Sequence, residues 1–307
     1  MKTIQIVVHV FAHEMHDFQR VVEQLKRNLE FTQAKSFSFD ITLNVSETKY
    51  DWQNSILQPS FFVQQFEDLC KMLPNVTTDI IFDGDYGCNS VRRKAARAAK
   101  FDYIGYLDLD LHFSMYTLHY IDNAIQSLSQ QEKQIVVSGQ IPRLWDSTWD
   151  IISNQEFIEM GTESKIWLTI DPYSIDKLVY DRLSKIQLKQ LPYVKIGGGW
   201  MNFIDQKVLQ LVDIPDSLGA YGMDDTYVQE AFNVLNKNNI TNVKQYVVDN
   251  LLVCENRKYE SYEPYLDNGY LKLEKELNDY KEQMAHYARQ NCWMELEKLL
   301  NKLNGKS

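Results

Sequence analysis

The chain has 307 residues, 44% hydrophobic and 24% charged, which is the composition of a globular protein and excludes disordered and collagen-like chains. Its 32 Lys and Arg against 42 Asp and Glu give a net charge of −10, which disfavours passive nucleic-acid binding and suits a protein that holds a cation. The apolar runs are too short to span a bilayer, and no signal-peptide pattern opens the chain. The four cysteines show no paired spacing, which predicts free thiols and a cytoplasmic location.

The first part of the chain alternates strand-like and helix-like segments. β-branched or alternating runs predict strands at 4–10, 37–45, 79–82 and 103–111, and apolar residues at helical spacing predict helices at 17–29, 60–72 and 91–100. Strands that alternate with helices indicate a parallel sheet with right-handed crossovers. Because ligands of such sheets bind at the carboxyl ends of the strands, the residues just after each strand are the candidates for chemistry.

The second part is mixed and ends in a helix. A strand at 134–138, a glycine cluster at 197–199, a helix at 226–237 and a strand at 243–253 precede a Tyr-, Glu- and Lys-rich segment. There, apolar residues recur at alternating spacings of four and three from Leu266 to Tyr287, and Trp293 extends the apolar face. The helix either packs on the body or joins two chains in a homodimer. We expect one α/β domain over residues 1–258 and a helical extension over 259–307.

The strongest local motif is an Asp-x-Asp at the end of the fourth predicted strand. On a continuous strand, Tyr106, Asp108 and Asp110 would share one face, with leucines on the other. Two carboxylates on one face of a buried strand are costly unless a cation joins them. Taken alone, the motif fits either solvated carboxylates at the end of a strand or a site for Mg²⁺ or Mn²⁺, bound by the carboxylates together with phosphate oxygens of a substrate.

A basic helix precedes that strand. Gly87 suits a tight turn, and Asn89 or Ser90 is a plausible N-cap, so the helix would offer backbone N–H groups to an anion. Arg92, near that end, is the candidate contact to a nucleotide or its diphosphate. A stripe typical of a solvated helix face follows at Arg93, Arg97 and Lys100.

Four sequence blocks, in order, resemble one enzyme family. The run from Arg92 to Asp110 resembles, without a gap, the "ARN…A…DYI…LDxD" pattern of GT-A glycosyltransferases, especially family 2. Residues 6–14 resemble the first strand and donor loop of that family, and residues 197–209 resemble its acceptor-side segment. Residues 221–228 resemble its "GGEDxDL" block, with Asp224 in the Glu position and Asp225 in the Asp position.

The resemblance implies a GT-A fold, a Rossmann-like nucleotide-sandwich with a mixed, mostly parallel sheet, and a nucleotide-sugar donor, expected to be a UDP-sugar. Donor-binding residues would then be Val10, Ala12, His13, Asp83, Arg92, Asp108 and Leu109. The acceptor segment would include Gly198, Gly199 and Trp200, and the metal ligands would be Asp108 and Asp110.

The resemblance also implies roles for the acidic pair. Asp225 would be the general base that takes a proton from an acceptor hydroxyl, which then attacks the sugar with inversion. Asp224 would orient the acceptor or cap the helix that follows. The acceptor itself could be a glycan or, less readily, a modified nucleobase.

Several positions depart from the family pattern, and two other functions stay open. The usual acidic pair of the second strand is represented by residues 43–47, and Arg93 replaces an Asn. The late metal-binding histidine has no counterpart, since His286 is the only histidine after Asp225. A nucleotidyltransferase would share the sheet and metal but needs a glycine-rich loop after the first strand. An inactive homologue acting as a binding scaffold is the non-enzymatic alternative.

Overall fold

The structure is a computed structural model, and it describes most of the chain. The described residues are 1–32, 36–45, 58–82, 87–98, 100–131, 134–140, 183, 185–196, 201–255 and 271–303.

Nine strands and seven α-helices make up the described chain. The strands are β1 (Ile4–Phe11), β2 (Phe37–Asn44), β3 (Val76–Ile81), β4 (Tyr103–Leu107), β5 (Leu111–Phe113), β6 (Ile135–Gln140), β7 (Leu188–Gln190), β8 (Asn202–Asp205) and β9 (Lys244–Glu255). The helices are α1 (Met15–Thr32), α2 (Pro59–Cys70), α3 (Cys88–Ala98), α4 (Thr117–Leu128), α5 (Gln206–Val212), α6 (Asp224–Lys237) and α7 (Leu271–Leu303). Short 3₁₀ turns lie at Ala12–Glu14 and Asp216–Leu218.

The strands form one mixed sheet in the order β3-β2-β1-β4-β8-β6-β9-β5, with β7 on β9. The first four are parallel, while β8 runs antiparallel between β4 and β6. This arrangement confirms the predicted α/β class with a mixed sheet. The carboxyl ends of β1 to β4 meet at one edge, so the segments that follow those strands are neighbours there.

Helices cover both faces of the sheet. Strand β1 is buried on both sides, as expected for a central parallel strand with a continuous apolar run. Its residues Ile4, Ile6, Val8 and Val10 pack with α1, α2 and α4, whereas Val7 packs with α3, α5 and α6. The sheet therefore separates two apolar layers: the first layer contains α1, α2 and α4, and the second contains α3, α5 and α6.

The last turns of α7 pack on the second layer. Ala288, Cys292 and Leu296 are buried, and the Ser217 hydroxyl donates a 2.8 Å hydrogen bond to Glu295. Trp293 is 59% exposed, so its predicted place on the apolar face is wrong: the buried side chains recur at spacings of four, and Trp293 lies one position off that row. The heptad side chains from Leu266 to Met284 lie outside the described residues, and Tyr287, the last of the series, is exposed. The boundary at residue 258 and the homodimer therefore stay predictions.

The strand predicted at 103–111 is interrupted. Strand β4 ends at Leu107, residues Asp108–Asp110 form a turn, and β5 begins at Leu111 to pair with β9 instead. The alternation of faces that was expected to align both carboxylates therefore stops at Leu107.

No helix in the described part of the chain combines the length and the apolarity needed to cross a membrane.

Close packing of β4 on β8 gives a first prediction. Gly105 lies opposite Phe203, and a Cβ at residue 105 would come within 2.5 Å of the buried Phe203 ring. Gly105→Ala should lower the free energy of unfolding by about 1–3 kcal/mol, since overpacking forces neighbours to shift. Urea unfolding followed by circular dichroism measures the change.

The matched control is the double variant Gly105→Ala with Phe203→Leu. Because the smaller side chain gives the new methyl group room, the double variant should lose less stability than the sum of the two single variants. Additive losses would contradict the contact.

Candidate active site

The Asp108–Asp110 turn lies at the carboxyl edge of the sheet. The Asp108 side chain is 33% exposed, and Asp110 is also partly exposed, whereas Leu109 and Leu111 are buried in the first apolar layer. The leucines thus anchor the turn while the carboxylates reach solvent. Leu109 therefore offers a ligand its backbone and not its side chain.

Arg92 on α3 connects this turn to the acidic pair that begins α6. Its Nη2 lies 2.5 Å from Asp108 Oδ1, and its Nη1 lies 2.7 Å from Asp224 Oδ2. The guanidinium also lies over the Tyr106 ring at 5.5 Å, and the Tyr106 hydroxyl donates a 3.0 Å hydrogen bond to the Arg92 carbonyl. One buried cation therefore joins the turn to an acid that lies 132 residues after Arg92 in the sequence.

Two carboxylates stabilise the positive charge of Arg92. Burial opposes the charged guanidinium, but Asp224 and then Asp108 more than offset it, so the pKa of Arg92 lies well above its usual value. The predicted contact between Arg92 and a diphosphate stays a prediction. Any such contact would share a guanidinium that already binds two carboxylates.

The N-terminal end of α3 fits against the loop before α6. The helix begins at Cys88, so the predicted N-cap at Asn89 or Ser90 is wrong, and Asn89 lies in the first turn. Its side-chain amide instead donates to the Gly222 carbonyl at 3.0 Å, and its backbone N–H donates to the Ala220 carbonyl at 3.0 Å. A Cβ at Gly87 would lie 2.4 Å from that same carbonyl oxygen, so the close approach requires glycine.

The arginines after Arg92 hold the same loop. Arg93 is buried and donates to the carbonyls of Ile214, Pro215 and Gly219, so its predicted place on a solvated stripe is wrong. Arg97 pairs at the surface with Asp213 and Asp216. The departure from the family pattern at residue 93 therefore has a structural reason: a long cation here satisfies three loop carbonyls.

The acidic pair divides into two environments. Met223, with a left-handed φ of 63°, is the N-cap of α6, so Asp224 lies inside the helix and the predicted capping role is wrong. Asp224 is buried against Arg92, while Asp225 is partly buried and accepts a 2.7 Å hydrogen bond from the Thr226 N–H. Burial, and then the charge of Asp224, raise the pKa of Asp225 above its usual range.

The predicted donor loop follows β1. Val10 is buried in the first layer, and Ala12 is buried in the 3₁₀ turn, so a contact from either to a ligand would come from the backbone. The backbone of His13 lies in the same turn, but its side chain lies outside the described residues. Glu14 closes the turn by accepting a 3.0 Å hydrogen bond from the Phe11 N–H.

Four predicted site residues lie outside the described residues: Asp83, Gly198, Gly199 and Trp200.

Sequence reasoning missed one charged pair at this edge. Asp17 and Arg20 on α1 form a buried 3.0 Å ion pair, and Arg20 donates to the backbone of the Asp108–Asp110 turn. An Asp and an Arg three residues apart on a helix are typical of a solvated surface pair. The sequence does contain one signal that the pair is buried. Asp17 lies next to Phe18, on the side of α1 that packs on the sheet.

The donor set fits a metal ion that takes only part of its coordination shell from protein. Among the described residues, no group of three or more His, Cys, Asp or Glu side chains is placed to hold a metal. Asp108 and Asp110, partly exposed at the edge, could supply at most two carboxylates. That number suits Mg²⁺ or Mn²⁺, which bind through one or two carboxylates and complete the shell with water and substrate phosphates.

No protein-family model and no curated protein matches the sequence. Similar crystal structures include S. aureus TarS 1-349 in complex with UDP-GlcNAc, with 10% identity and a TM-score of 0.46 over 80% of this chain and 58% of that chain. GalNAc-T7 with UDP, GalNAc and Mn²⁺ is 11% identical, with a TM-score of 0.46 over 83% of this chain and 43% of that one. A mycobacterial protein is 11% identical, with a TM-score of 0.42 over 83% of this chain and 67% of that one.

The chain spans less than two thirds of the first two of these structures. All three TM-scores are below 0.5, so these similarities carry no conclusion about substrate or chemistry.

The Arg92 bridge gives a prediction about stability. Arg92→Met should lower the free energy of unfolding by about 3–5 kcal/mol, because it leaves the buried Asp224 carboxylate without its cation. Urea unfolding of the purified variant measures the loss.

Arg97→Met is the matched control. Arg97 lies on the same helix, but its side chain is 45% exposed and its pair with Asp213 is solvated. That variant should lose about 1 kcal/mol or less. Equal losses in the two variants would contradict the role of burial.

Proposed function

We propose that the chain is a metal-dependent GT-A glycosyltransferase that moves a sugar from a nucleotide-sugar donor to an acceptor hydroxyl with inversion. The expected donor is a UDP-sugar. The observation that carries the proposal is the contact of Arg92 with both Asp108 and Asp224. Two of the four family-like sequence blocks thereby meet at the edge of the sheet where ligands of α/β folds bind.

Asp225 has the environment of a general base. The Thr226 N–H donates a hydrogen bond to Oδ1 and holds the carboxylate, which would take the proton of an acceptor hydroxyl. As that proton leaves, the acceptor oxygen forms a bond to C1 of the sugar and the bond from C1 to the nucleoside diphosphate breaks. A raised pKa brings the carboxylate closer to the operating pH, where a base is most effective.

The neighbouring carboxylates have other tasks. Asp224 neutralises Arg92 and fixes the first turn of α6, which sets the direction of Asp225. Asp108 and Asp110 would hold Mg²⁺ or Mn²⁺, which would supply positive charge to the diphosphate leaving group. Val10, Ala12, His13 and Asp83 remain the candidates for nucleotide contacts, and Gly198, Gly199 and Trp200 those for the acceptor.

The first test of function uses Asp110. Wild-type protein with Mn²⁺ should release UDP from at least one member of a panel of UDP-sugars, and Asp110→Asn should lower that rate by more than about 100-fold. Even the outer partners of metal ligands cost about 10–100-fold when removed, so loss of a ligand should cost more. UDP release is followed with a coupled assay.

Asp68→Asn is the control for that measurement. Asp68 is an exposed acid on α2 that pairs with Lys71, remote from the carboxyl edge, so its neutralisation should leave the rate unchanged. An Asp110→Asn variant that turns over like Asp68→Asn would exclude the metal assignment.

The second test uses pH. Because the pKa of Asp225 is raised, the base stays protonated to a higher pH than an ordinary aspartate, whose pKa is about 3.9. The acid limb of kcat/KM should therefore lie above that value. Asp224→Asn should move the limb to lower pH, because it removes a negative charge that raises the pKa of Asp225.

Asp225→Asn should abolish turnover while UDP binding, measured by calorimetry, persists. An unshifted acid limb in Asp224→Asn, or substantial turnover by Asp225→Asn, would place the base elsewhere.

A further inference from the structure

The Asp108–Asp110 turn is held from a second side by Arg20. Its Nη2 donates to the Leu109 carbonyl at 2.5 Å, and its Nη1 donates to the Leu111 carbonyl at 2.6 Å. These two carbonyls belong to the residues immediately before and after Asp110. One planar guanidinium therefore spans the backbone that carries the second carboxylate of the motif.

Asp17 fixes the direction of that guanidinium. Asp17 Oδ1 accepts a 3.0 Å hydrogen bond from Arg20 Nη2, and the two side chains are only 5% and 13% exposed. An arginine has five N–H donors in a fixed planar fork, so holding one nitrogen orients the others. The carboxylate on α1 thus determines which way Arg20 presents its donors to the turn.

Stability alone gives little reason for this pair. Its neighbours on α1 are apolar core residues, including Phe18, Val21 and Val22. Removing two charges from water costs several kcal/mol each, and well-packed apolar residues often replace buried ion pairs at no loss. A buried pair that reaches across to a functional turn is therefore better explained by what it positions.

The turn also needs donors from outside the sheet. The ladder of β4 stops at Leu107, and β5 pairs with a different strand, β9. The negative charge of Asp110 also acts on the ion pair. Burial is the main cause that raises the pKa of Asp17; Arg20 lowers this pKa, and the charges of Glu14 and Asp110 raise it. Asp110 and the Asp17–Arg20 pair thus share one electrostatic environment.

We propose that Arg20, oriented by Asp17, is a positioning residue that fixes the backbone on both sides of Asp110 and so sets the direction of its carboxylate. The proposal rests on the proposed function in that Asp110 is taken as a ligand of Mn²⁺ or Mg²⁺. It differs from the role of Arg92, which binds the carboxylate of Asp108 directly.

The test is Mn²⁺ binding by the full chain in the presence of UDP, measured from the electron paramagnetic resonance signal of free Mn²⁺. Arg20→Lys keeps the charge but loses the planar fork. Its Mn²⁺ affinity should fall by about 10–100-fold, the range found for outer partners of metal ligands. UDP affinity without metal should stay within about twofold, and saturating Mn²⁺ should restore kcat, a separation that general loss of structure would not produce.

Two further variants complete the test. Asp17→Asn leaves the hydrogen bonds from Arg20 to the Leu109 and Leu111 carbonyls in place but holds the guanidinium less firmly. The Mn²⁺ affinity of this variant should therefore also fall, by a smaller factor. Arg97→Lys makes the same chemical change on the exposed face of α3 and should leave Mn²⁺ affinity unchanged. Circular dichroism confirms that each variant is folded.

The outcomes separate the two proposals. If wild-type protein binds Mn²⁺ and folded Arg20→Lys binds it equally well, Arg20 is not a positioning residue and the metal site stands. If only Asp17→Asn binds it equally well, the orientation of Arg20 by Asp17 is wrong. If wild-type protein with UDP binds no Mn²⁺, the metal part of the proposed function is wrong and this inference is wrong with it.

Discussion

The candidate site depends on one buried cation. Arg92 bridges Asp108 at the end of β4 and Asp224 at the start of α6, and thereby holds together three segments that are distant in sequence. Without a positive charge beside them, the two carboxylates would lose free energy of solvation with no compensating interaction. The buried guanidinium of Arg92 would likewise be unpaired without the carboxylates. The bridge itself, with two carboxylates and one guanidinium, leaves a net negative charge, which under the proposed function would favour a cation at this edge of the sheet.

The sheet explains why two arginines are used at this edge. Helix α1 belongs to the first apolar layer and α3 to the second, and the Asp108–Asp110 turn leaves the sheet between them. The Arg20 side chain comes from the first layer and binds backbone carbonyls of the turn. The Arg92 side chain comes from the second layer and binds the Asp108 carboxylate. A turn that has left the ladder of β4 is thus fixed by groups anchored in both layers.

The sequence predicted those features that depend on local pattern. The continuous β-branched run of β1 and the helical spacing of apolar residues in α1 predict both elements to within a few residues, because each pattern is local to its own element. The same reasoning extends β4 too far. Acids and leucines continue to alternate from Asp108 to Leu111, but here the buried leucines anchor a turn and do not continue the strand. Which partner each charge takes depends on contacts between distant segments, so the bridge from Arg92 to Asp224 and the burial of Arg93 were outside the reach of spacing alone.

The different environments of Asp224 and Asp225 follow from where Arg92 lies. Adjacent residues at the start of a helix point about 100° apart, and the guanidinium donates a hydrogen bond to Asp224. Since Arg92 binds Asp224, burial and the neighbouring negative charge of Asp224 outweigh the Thr226 hydrogen bond and the charge of Arg92, and they raise the pKa of Asp225. Had Arg92 bound Asp225 instead, the pKa of that carboxylate would be lower. Under the proposed function, the partner of Arg92 therefore determines which acid could serve as the base.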